Sequence, residues 1–101
     1  MPVSLHTDDP GPVGAAPTHE CAWVGYSRQE PCIVGGVAGN GINKIETLTT
    51  FPPITDWQGT ITHYALIADG VIAEKGVLVP PIRVHQKYGQ MTAEVRLSHD
   101  V

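Results

Sequence analysis

The residue types most able to do chemistry in this chain are five histidines, two cysteines and ten carboxylates. His63 stands in Thr62-His63-Tyr64, inside a run that reads as a strand. A histidine there is either a proton shuttle or metal ligand, or a half-buried ring whose nitrogens bond backbone groups or a threonine. No second ligand type stands at i+2 or i+4, the spacings that build a site on one element, so the second reading is favoured. His6 with Asp8 and Asp9 has the look of a metal site. Hard cations take six or more oxygens, however, and two adjacent aspartates before Pro10 are explained by turn formation. Cys21 and Cys32 lack C-x-x-C spacing, and nothing beside either marks a base that would activate it. Adjacent strands would bring their Cα atoms within the ~7 Å a disulfide needs, but a cytosolic origin favours free thiols.

Other constellations are equally bare. There is no G-x-S-x-G elbow to expose a nucleophilic serine. The carboxylates fall singly in turns and on outward strand positions, so the sequence sets no glycosidase pair. Gly35 to Gly41 lacks the Lys-Ser/Thr of a phosphate loop and leads into a strand, where a helix is required. No catalytic residue, cofactor or metal ligand is assigned, and the chain is expected to be no enzyme.

The elements that hold these residues are strands. Nine prolines and eleven glycines leave no room for a long helix, and apolar residues recur with period two. Val3 to His6 reads as a first strand, ended by Asp8-Asp9-Pro10-Gly11. An irregular Pro/Gly-rich loop follows at about 10–22. A second strand is expected from Trp23 to Gln29, with Cys32 to Val34 continuing it beyond Pro31, and Gly35 to Gly41 as a flexible loop. Ile42 to Phe51 is rich in the β-branched residues that suit a pleated surface, with Ile45, Thr47, Thr49 and Phe51 on one face. Pro52-Pro53 ends it and Ile54 to Gln58 makes a corner. Thr60 to Ala68 is apolar on both faces, with Ile61, Ala65 and Ile67 on one and Tyr64 and Leu66 on the other, as in a strand covered on both sides. Asp69-Gly70 is a hairpin turn. Val71 to Val79 returns from it, Pro80-Pro81 breaks the ladder, Ile82 to His85 is a short edge, and Lys87-Tyr88-Gly89 turns. In Met91 to Ser98, Met91, Ala93, Val95 and Leu97 point inward. The expected fold is a single-domain, all-β antiparallel sandwich or flattened barrel of about seven short strands, spanning 1–101.

Composition narrows the partners. Net charge is −4 and the six basic residues are scattered, so no stripe exists to neutralise phosphates and nucleic-acid binding is not expected. Apolar runs are far shorter than the ~20 residues of a membrane helix. The N-terminus lacks the charged start and apolar stretch of a signal peptide, so synthesis in a cytoplasm is expected. Only 16% of residues are charged, against about 25% typically. That suits an exterior partly covered by partners.

Four segments resemble a known family. Ser4-Leu5-His6-Thr7-Asp8-Asp9-Pro10-Gly11 is similar to its opening strand and turn. Gly25-Tyr26-Ser27-Arg28-Gln29 is similar to its "GYxRQ" segment. Phe51-Pro52-Pro53, Asp56-Trp57 and Gly59-Thr60-Ile61-Thr62-His63-Tyr64-Ala65-Leu66 resemble its corner and central strand. Gly76-Val77-Leu78 and the alternating last strand complete the match. The family is that of small tail-fibre-like or minor-tail-like proteins of tailed bacteriophages, which includes capsid decoration (cement) proteins. The chain departs from it at Gln58, between Trp57 and Gly59, at Ala16 to Ala22, and in its short Asp69-Gly70 hairpin.

The resemblance implies a virion protein without cofactor. The expected role is decoration of the outer head surface, binding the major capsid protein as a homo-oligomer, a trimer favoured over a dimer. The alternative is a tail-fibre or minor tail protein binding another tail component or a host glycan. A fibre usually brings shaft sequence, which 101 residues do not hold. Val13, Pro17, Trp23 and Tyr26 are the expected partner contacts, with loop 10–24 gaining order against the capsid. Trp57 is expected to plug the end of the sandwich, as against anchoring a partner.

Overall fold

Alternation and β-branching translate into strands. The computed structural model describes residues 1–39, 42–85 and 91–100. Its strands are β1 (Val3–His6), β2 (Cys32–Gly39), β3 (Ile42–Thr50), β4 (Gly59–Ala68), β5 (Val71–Val84) and β6 (Glu94–Asp100). They form two antiparallel three-stranded sheets, ordered β1-β4-β5 and β2-β3-β6. The all-β expectation holds. Val3, Leu5, Ile61, Leu66 and Val84 of the first sheet pack into one core with Val95 of the second and with Phe51, Ile54 and Ala93 beside it. Burial of this apolar surface is the main force joining the sheets.

Six strands replace the expected seven, for three local reasons. Trp23 to Gln29 is no strand: the Tyr26 amide bonds the Trp23 carbonyl at 2.9 Å, and Gly25 sits at φ +89°. That is a type II turn, which needs positive φ at its third residue. The glycines expected to form a loop continue β2 to Gly39, past a register shift between Ile33 and Gly35. The prolines Pro80 and Pro81 do not end β5, which runs to Val84. They fall in a bulge between the pairs Ile61↔Ile82 and His63↔Val77, where a missing N–H breaks no ladder bond. The Lys87-Tyr88-Gly89 turn lies outside the described residues.

The same bulge reassigns a face. Period two places Ile61 with Ala65 and Ile67, yet Ile61 belongs to the main core with Leu66, while Ala65, Ile67 and Ile72 form a second cluster. One irregular step flips every later side chain to the other side. The second cluster is covered by the segment expected to be a free loop. Its Gly14 amide bonds the Ile72 carbonyl at 2.8 Å, and the Ile72 amide bonds the Ala15 carbonyl at 2.9 Å. Pro10 is fully buried. Both faces of β4 are therefore covered, as its apolar sequence requires.

Candidate interaction surface

Residues 19–29 close the outer edge of β1, and the positions expected to touch a partner mostly serve that closure. Isolated bridges link His6 to Glu20 and Val3 to Gln29. The turn at Gly25 folds Trp23 and Tyr26 back onto the core, their ring centroids 4.8 Å apart in an edge-to-face arrangement. Trp57 lies 5.7 Å from Trp23, and Tyr26 stacks 6.2 Å from Phe51. Trp23 is only 4% exposed. Trp23 and Tyr26 are thus corrections to the expected contact set, because the turn points both rings inward. Trp57 is half-buried against the core, the place of a plug.

Around these rings Tyr26, Glu20 and Arg28 bond one another, whereas the buried Trp23 indole N–H has no partner among the described residues. The Tyr26 hydroxyl donates to Glu20 Oε2 at 2.6 Å and accepts the Leu5 amide at 3.2 Å. Arg28 donates through Nε to the same oxygen at 3.0 Å and through Nη2 to Oε1 at 2.9 Å. Burial pushes the Glu20 carboxyl up, but the bonds from Arg28 and Tyr26 outweigh it and hold the group below its usual range. Burial, then the bond to Glu20, pushes the Tyr26 phenol well up. The Gly-Tyr-x-Arg-Gln segment is thereby a clamp: the glycine makes the turn, the tyrosine fills the core, the arginine locks Glu20, and Gln29 pairs with β1.

His6, His63, Asp8 and Asp9 are likewise held by local bonds. His6 is fully buried, with Nδ1 2.8 Å from the Thr18 carbonyl and Nε2 2.7 Å from Ser4 Oγ. Nδ1 donates to the carbonyl, and the Ser4 hydroxyl beside Nε2 also lies 3.5 Å from the Ala65 carbonyl. Burial lowers its pKa against the opposing pull of the Thr18 bond. His63 Nδ1 meets Thr62 Oγ1 at 2.7 Å. Asp8 Oδ1 accepts the Asp9 amide at 2.8 Å, while Asp9 Oδ1 accepts the Gly11 amide at 2.9 Å and Lys75 Nζ at 2.8 Å. These aspartates make the turn and tie it to β5. Cys21 is buried and Cys32 exposed, both free thiols; burial pushes the Cys21 thiol up to about 12.

Several large apolar side chains are exposed as well, among them Val24, Ile33 and Val34. Val13 is 61% exposed at the tip of the tethered loop, and Pro17 is half-buried. Sequence reasoning missed Val77 and Val79, which are 62% and 88% exposed on β5. Three apolar residues in a row before Pro80-Pro81 were the available signal, since one face of such a run must lie uncovered at a sheet edge. They border a groove of about 650 Å³ between β5 and β6, walled by Leu78, Ile82 and Tyr64 on one side and by Glu94 to Ser98 on the other. The chain matches no protein-family model, no curated protein and no solved structure.

Proposed function

We propose that this protein is a non-catalytic component of a tailed-bacteriophage particle, a capsid decoration protein that binds the major capsid protein on the outer head surface and self-associates there. The resemblance of four segments to that family motivates the assignment. The observation that carries it in physical terms is the division of labour among side chains. His6, Asp8, Asp9 and Arg28 are tied up in turns and clamps, while Val13, Val77 and Val79 are left uncovered. A protein of low charge with apolar edges works by burying area against neighbours. Clamping adjacent capsomers in this way makes the shell resist the pressure of packaged DNA. Loop 10–18 presents Val13 from a preformed platform, so contact there costs little ordering entropy.

Purified protein added to phage heads that lack it, followed by cryo-electron microscopy, tests the proposal. Density between capsomers at the local three-fold or two-fold axes is the expected result. Heads exposed to saturating protein without added density would overturn it and move the assignment to a tail component, to be sought by binding to isolated tails.

A further inference from the structure

A sandwich of two three-stranded sheets has four edges, and three of them are blunted. The β1 edge is paired with residues 19–29. The β5 edge is bonded at Ile72 by the 14–15 loop and interrupted by Pro80 and Pro81. The β2 edge is broken by a register shift at Ile33/Gly35. The β6 edge is different. It holds seven consecutive pairs with β3 without a shift, contains no proline, and has no partner on its outer side among the described residues. A regular edge of this kind is a template for another strand.

Its backbone polarity follows from one bond. The Phe51 amide donates to the Ala93 carbonyl at 3.0 Å, so Ala93, Val95 and Leu97 turn their N–H and C=O toward β3. Glu94, Arg96 and Ser98 turn theirs outward. These three also have exposed side chains, whereas Val95 is 1% exposed in the core. An antiparallel match with a second β6 must keep inward residues facing inward ones. Among the registers that do so, centring on Glu94 or Arg96 puts like charges face to face, centring on Leu97 sets Glu94 against Asp100, and centring on Ser98 sets Arg96 against Asp100 but leaves Glu94 past the end of the partner's β6. Centring on Val95 places Glu94 opposite Arg96 of the second copy, twice, with outward backbone groups meeting in about four hydrogen bonds. The register is self-complementary.

We infer that β6 pairs with β6 of a second copy about a two-fold axis at Val95, fusing two sheets into one of six strands. The exposed Val77 and Val79 lie across the groove from Glu94 to Ser98, so the second copy also covers that apolar border. This deepens the self-association proposed above by naming its surface, and it gives a dimer where the sequence favoured a trimer, since an isologous strand pair closes on itself.

Sedimentation of the 101-residue protein across micromolar to submillimolar concentration tests it, alongside hydrogen exchange of the Glu94 and Arg96 amides. The expected result is a monomer–dimer equilibrium in which both amides become protected as the dimer forms. Glu94→Arg and Arg96→Glu each weaken dimerisation by about tenfold, because symmetry counts every substitution twice, and Glu94→Arg/Arg96→Glu together restore it. A monomer at every concentration, a trimer, or a dimer with these amides unprotected would overturn the inference. Should a charge variant fail to fold, the exchange measurement on the unaltered protein decides alone. Head binding is a separate assay, so failure to decorate and failure to dimerise are told apart.

Discussion

The Tyr64 ring lies directly on Gly76, its cross-strand partner in the β4–β5 ladder. A Cβ built on Gly76 would sit 2.6 Å from Tyr64 Cε1 and from its hydroxyl oxygen. The glycine leaves a bare patch of backbone in the sheet and the aromatic ring covers it, which compensates for a residue that otherwise weakens a strand. Gly76→Ala forces the ring to move and is expected to destabilise the fold by about 1–3 kcal/mol. In a Tyr64→Leu background the same change is expected to cost less, and a double-mutant cycle in urea measures the difference.

Acid stability is expected to fall in two stages. The pKa of the buried His6 ring is lowered from 6.5 by desolvation. Below that pH the unfolded chain takes up a proton that the native ring refuses, so stability declines as pH falls. Glu20 is held below its usual 4.5 by Arg28 and Tyr26 against burial. Its stabilisation is complete above that value and is lost as pH falls through the lower, native pKa. Urea titrations from pH 8 to pH 3 read both slopes. His6→Gln is expected to flatten the upper one and Glu20→Gln the lower.

Thr49 is fully buried, and its hydroxyl has no hydrogen-bond partner among the described residues. An unsatisfied buried hydroxyl costs about 1–3 kcal/mol. Thr49→Val keeps the branched shape that suits β3 and removes that cost, so the variant is expected to be more stable by about 1 kcal/mol, read as a rise in Tm.

The two thiols differ in access. Cys32 is exposed, whereas Cys21 is buried with its pKa raised to about 12. A thiol-reactive chromophore is expected to label one cysteine per native chain quickly and the second only on unfolding. Cys32→Ser removes the fast phase.

Much of the framework is local in origin and was legible from the residues. The β class, β1, the inward positions of β6 and the inward face of β3 follow from period-two apolar spacing, which any strand must satisfy to bury one side. The Asp69-Gly70 turn is equally local: φ values of +52° and +79° at its two residues are those an aspartate and a glycine tolerate. The Asp8-Asp9 turn needs only the amides that follow it.

Tertiary structure decided the faces and the edges. Trp23 and Tyr26 read as partner contacts, whereas the Gly25 turn lays them against β1 and Phe51, a contact between segments far apart in sequence. The bulge opposite Pro80 and Pro81 moved Ile61 into the main core, because an alternation rule carries no information past an extra residue. Which strands end a sheet is set by pairing order, and no single strand encodes that. Among the described residues β6 has a strand partner, β3, on one side only, and Val77 and Val79 on β5 are exposed.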